Sequence, residues 1–192
     1  LTMTLAIFEE SLNNTGLIVR VLPISNFSEP LNFTFAPLFY LIVRTRISQI
    51  KNRKKDWLHF IPALFWSVYM VFYFIQSDAL KYNSYIYSKH PGWPTLKVDP
   101  AISSDPLGIG HYVNELTAFH FVAYALIIIL LLRKELIRTN SGWFKAKNPA
   151  LKSALNSSVH FAIIIAVFVS SKLYFGSDIG DYFIASYISF MI

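Results

Sequence analysis

Residues 57–75 run for nineteen positions without an aspartate, glutamate, lysine or arginine. At about 1.5 Å per residue, a helix of that length matches a bilayer hydrocarbon core about 30 Å thick. Two further runs follow. Residues 112–132 are interrupted only by Glu115 near their start, and residues 154–175 carry only Lys172, close enough to the end for its ammonium to reach the interface. A membrane leaves no water to satisfy an exposed backbone, so such runs predict helices. The expected fold is an all-α, polytopic transmembrane helix bundle.

Composition agrees. Charged residues make up 15% of the 192-residue chain, against about 25% in soluble domains, and the apolar runs account for the shortfall. A formal charge of +6 would suggest nucleic acid in a soluble protein, but here the cations lie beside the apolar runs and fit anionic lipid better. The absence of cysteine excludes disulfides and cysteine-based zinc sites.

Weaker spans are expected at 33–43, where Pro37 is placed to introduce a kink, and at 1–22, which carries Glu9, Glu10 and Arg20. Residues 182–192 are apolar but only eleven long, about half of what a span needs, and read as the start of one cut short. About six spans are therefore expected in one transmembrane domain over 1–192, the last truncated. Leu1 is not an initiator methionine and no basic signal-peptide region precedes the apolar residues, so both ends read as cut.

The basic residues set the orientation. Of seventeen lysines and arginines, twelve fall in two short segments. Segment 44–56 holds Arg44, Arg46, Lys51, Arg53, Lys54 and Lys55 against Asp56, and segment 133–152 holds Arg133, Lys134, Arg138, Lys145, Lys147 and Lys152 against Glu135. The positive-inside bias places both in the cytoplasm of a cell whose inner membrane this chain crosses repeatedly. Segment 76–110 is balanced and 176–181 is acidic, and both are expected outside.

Segment 76–110 is the one long polar region, with Pro91, Pro94, Pro100 and Pro106, Trp93 and the tyrosines Tyr82, Tyr85 and Tyr87. Its aromatic residues fit either an interfacial belt or a cap that touches a ligand. His111 and Glu115 are four residues apart, so a helix would place them on one face at the outer edge. With Trp93 above them they form the expected polar floor of a ligand pocket, although a plain pairing of the two also fits. His120 lies near mid-membrane on the opposite face, suited to a hydrogen bond with a neighbouring helix. Glu9 and Glu10 point in different directions, so at least one must find water or a cation if 1–22 crosses the membrane.

His59 and His160 lie at similar depth on different spans and could ligate haem from opposite sides. No nucleophile elbow, phosphate-binding glycine loop or zinc helix is present, so no catalytic residue, metal ligand or required cofactor is expected.

Ala36-Pro37-Leu38-Phe39-Tyr40, the arginine-rich turn after it and Asp56-Trp57-Leu58-His59-Phe60-Ile61-Pro62 resemble the membrane-embedded N-terminal region of bacterial AraC-family transcriptional regulators. The similarity covers roughly residues 31–136 and continues weakly to 192. It implies a sensor domain that detects a ligand or envelope state outside and signals through its last helix. A cytoplasmic helix-turn-helix domain beyond residue 192 would contact DNA, and dimerisation is common in such regulators. The long outer segment departs from that pattern. The alternatives are a membrane redox or transport component, with haem at His59 and His160, or an accessory subunit of a larger membrane complex.

Overall fold

The first helix ends where Gly16 enters the left-handed region at φ 72°, a conformation that costs glycine little. In the computed structural model, which describes residues 1–48, 54–99, 102–143 and 145–174, this helix is α1, Thr2–Asn14. Three short three-ten turns follow, two of them opened by Pro23 and Pro30. Then come α2, Asn32–Ser48, a three-ten stretch over Lys54–Phe60, α3, Ile61–Tyr69, α4, Val71–Phe74, and α5, Asp78–Lys89. The long helices α6, Val113–Arg138, and α7, Pro149–Tyr174, complete the fold. No strand occurs among the described residues.

Three helical stretches among the described residues are long and apolar enough to cross a membrane: Lys54–Phe74, Gly110–Arg138 and Pro149–Ser170. Within an eighteen-residue apolar window of each, only 22–28% of the residues are buried inside the fold, leaving a largely uncovered apolar surface. The expectation of about six spans is corrected to three among the described residues. Residues 1–22 fail because α1 has thirteen residues and a length of about 20 Å before Gly16 ends it. Residues 33–43 do form a helix that continues through Pro37, but α2 has seventeen residues, about 25 Å, with Arg44 and Arg46 in its last turns. Residues 182–192 lie outside the described residues.

The span Lys54–Phe74 is not one continuous α-helix. Pro62 offers no N–H and suits the first turn of a new helix, so the chain enters α3 from a three-ten stretch, and Met70 separates α3 from α4. The start of α7 follows the same logic. Pro149 occupies its first position, and the Asn148 carboxamide accepts from the N–H of Ala150 at 2.9 Å.

The chain divides into two compact units, one of residues Leu1–Phe35 and His59–His111, the other of Ala36–Leu58 and Tyr112–Ile192. In the first, Ile18, Tyr85 and Ile86 form a buried cluster with Leu12 and Tyr82 against it. Trp66 is 2% exposed, with the Phe33 ring 5.6 Å and the Tyr69 ring 5.5 Å from its own. The buried Lys81 donates to the Phe74 carbonyl at 2.9 Å, a cation on the open end of α4.

In the second unit, α6 buries Thr117, Phe121, Tyr124, Ile128, Leu132 and Leu136, one stripe at helical spacing. Phe121 meets Phe161 and Phe168 of α7 at 6.2 and 5.6 Å. Phe39 of α2 stacks on Phe161 at 4.4 Å, and Arg46 donates to the Ser153 hydroxyl at 3.1 Å. Going up in number along α2 means going down along α7, so the two helices run antiparallel. Arg46, near the end of α2, and Lys152, beside Ser153 near the start of α7, therefore lie at one end of this unit.

Candidate functional site

Eleven acids are spread over 192 residues, and in the first unit Glu9 is buried and Glu29 partly buried. Glu9, on α1, is 3% exposed. Its Oε2 accepts from the Ser28 N–H at 2.7 Å, while Oε1 is buried with no hydrogen-bond partner among the described residues. The turn that supplies Ser28 contains Asn26 at φ 61°, a left-handed conformation that asparagine tolerates better than most residues. Burial raises the Glu9 carboxyl above its ordinary value, and the bonds from Ser28 and Asn26 only partly offset this.

Glu29 sits in the third three-ten turn, and its Oε1 accepts from the Trp66 indole N–H at 2.8 Å. Burial pushes its pKa up to about 7; the indole bond opposes the rise, while the charges of Glu9 and Asp105 add to it. Tyr73 lies within electrostatic reach of both acids. Its hydroxyl is 3.0 Å from Ser25 Oγ, which donates to the Leu22 carbonyl at 2.9 Å, leaving Tyr73 as the donor between the two hydroxyls.

Asp105 is the ionised counterpart. Burial raises it, but hydrogen bonds from Tyr69 and the Gly110 N–H and the charge of His111 outweigh burial, leaving it below the usual carboxylate range. The Gly110 N–H is 3.1 Å from each carboxylate oxygen, and a Cβ at residue 110 would lie 2.9 Å from one of them. A larger residue there would have to push the Asp105 carboxylate aside. The first unit thus holds two acids whose carboxyls are shifted upward by burial and, within electrostatic range of one of them, a third held below its ordinary value.

The residues expected to contact a ligand are placed differently. Trp93, 56% exposed, stacks on His90 at 4.3 Å, and His90 Nε2 is 3.0 Å from the Tyr85 hydroxyl. His111 is exposed in the turn before α6 and belongs to the first unit, and Glu115 is exposed in the first turn of α6 and belongs to the second. Among the described residues Trp93 meets His90 rather than His111. A cavity of about 350 Å³ in the first unit is lined by Gln76, Ser77, Lys97 and Asp99, none of them an expected contact. His59 falls in the first unit and His160 in the second. No group of three or more potential metal ligands occurs among the described residues.

In the second unit, His120 leads into a line of contacts. Its ring lies 4.9 Å from Tyr124, Tyr124 lies 5.9 Å from Tyr40, and the Arg44 guanidinium lies 5.6 Å over Tyr40. Arg44 then makes a bidentate pair with Asp56 at 2.8 and 2.5 Å, both side chains about one-tenth exposed. One turn above His120, Thr117 Oγ1 is buried with no partner among the described residues. Sequence reasoning counted Arg44 only among the basic residues of segment 44–56 and passed over Glu29 entirely. The partners of Glu29 lie 37 residues away at Trp66, a separation no local pattern encodes.

Compared with protein-family models, with curated proteins and with solved structures, the chain has no match.

Proposed function

We propose that this chain is a membrane-embedded sensory domain, multi-pass in a bacterial inner membrane, with 44–56 and 133–152 cytoplasmic and 76–110 outside. The observation that carries the reading is the pair of acids drawn into the first unit, the buried Glu9 and the partly buried Glu29. A bundle that only had to fold would gain by filling both positions with apolar side chains. An acid that titrates near neutrality, beside a second acid with an open oxygen, instead responds to a change in proton or cation supply. The state it favours would alter packing around Trp66, and the bundle would shift between two arrangements. Output follows the resemblance to AraC-family regulators, through a DNA-binding domain outside this chain, in a homodimer or a larger membrane complex.

The test uses Trp66 as its own reporter. In a variant with Trp57, Trp93 and Trp143 replaced by phenylalanine, emission is expected to titrate with a midpoint near 7 and to lose that transition with Glu29→Gln. Emission that stays flat from about pH 5 to about pH 9 would remove the observation on which the reading stands.

A further inference from the structure

The turn that joins α6 to α7 reverses tightly. Asn140 adopts φ 47°, and the Ser141 N–H reaches back to the Leu136 carbonyl at 2.9 Å, a helix-ending arrangement that closes the carbonyls of α6. The reversal brings Trp143 back beside the last turns of α6. Between them lies a groove of about 570 Å³, lined by Arg133, Leu136 and Ile137 from the helix and by Asn140, Ser141 and Trp143 from the turn.

We propose that this groove binds the headgroup of an anionic phospholipid, a proposal that rests on the membrane reading but on none of the buried acids. Segment 133–152 carries six cations against one acid, a net +5. Arg138 is committed to Glu135 at 2.8 Å, whereas Arg133 and Lys134 are exposed and have no ion pair among the described residues. The C-terminal dipole of α6 opposes an anion by roughly half a charge, an order of magnitude less than the cations supply. The start of α7, at the same end of the unit, offsets part of that half charge.

The apolar part of the groove decides between ligands. Ile137, at the end of the membrane-spanning α6, is 71% exposed, and Trp143, on the turn after it, is 47% exposed. An indole at headgroup level and an aliphatic wall beside one free guanidinium suit a phosphodiester that carries acyl chains. A free inorganic anion would gain nothing from that wall.

The experiment reconstitutes the protein in phosphatidylcholine vesicles. Electron spin resonance then measures the association of spin-labelled phosphatidylglycerol relative to spin-labelled phosphatidylcholine. Arg133→Gln is expected to cut the preference for the anionic lipid about fivefold. Trp143→Ala is expected to lower it as well, with less effect from Lys152→Gln, which removes an equal charge outside the groove. Equal losses in Arg133→Gln and Lys152→Gln would show a diffuse field and overturn the site, as would no loss in Arg133→Gln. Abolition of the wild-type preference by inorganic phosphate at matched ionic strength would point to a free anion and overturn the lipid assignment. Carbonate extraction and helical circular dichroism of each variant keep the comparison to inserted, folded protein. A wild-type chain that carbonate removes from the membrane would defeat the membrane reading instead.

Discussion

Glu29→Gln is expected to make the folded chain about 3 kcal/mol more stable than wild type above neutral pH and to leave it unchanged below about pH 4.5. The sign follows from the raised carboxyl, about 7 folded against 4.5 unfolded. Between those values the folded state holds a proton that the unfolded state has released, so the wild type loses stability as pH rises through that window. Glutamine imitates the protonated acid at every pH, and its carbonyl can still accept from the Trp66 indole at the position where Oε1 sits 2.8 Å away. The groups facing Glu29 are Glu9 on α1, Asp105 in the loop before α6 and Tyr73 on α4. None is removed by the substitution, so the flattened profile reports Glu29. Thermal unfolding in detergent across this range is the measurement, and wild-type and variant curves that stay parallel would remove the titration from Glu29.

The largest loss of stability is expected from Asp56→Ala, about 3–5 kcal/mol, because it leaves the Arg44 guanidinium buried without its bidentate partner. Replacing both residues, Arg44→Met with Asp56→Leu, is expected to recover most of that loss, since the desolvation cost of both ions disappears with them. Unfolding midpoints of the two single variants and the double variant in the same detergent give the coupling energy. Additive losses would mean that the pair is not coupled as its geometry requires.

The spans were legible because each is a long stretch nearly free of charge, a signal that needs no partner. Their ends were less so. α6 continues six residues beyond the expected 132 to Arg138, since a helix keeps its backbone bonds intact past the end of an apolar run and charged residues such as Arg133, Lys134 and Arg138 do not stop it. α7 starts at Pro149 rather than 154, and the sequence did hold its signals, Asn148 as cap and proline behind it. The weaker spans fell to local chemistry, Gly16 after α1 and the length of α2. The acidic interior was hidden for a different reason. Glu29 reads as one more acid before a proline, and only the fold brings Trp66 to it and Glu9 within electrostatic range. Glu9 did signal trouble as an acid in an apolar run, but the Ser28 N–H that receives it could not be read from its neighbours. Likewise, the line from His120 to Asp56 joins residues from three helical segments.

Everything proposed for function depends on the chain crossing the membrane with its basic segments on one side and segment 76–110 on the other. Cysteine accessibility tests this without interference, because the chain has no native cysteine. Ser88 and Lys145 are both exposed, one in each kind of segment. In intact cells, an impermeant maleimide is expected to label Ser88→Cys and to spare Lys145→Cys until the inner membrane is opened. Labelling of both in intact cells, or of Lys145→Cys alone, would contradict the account.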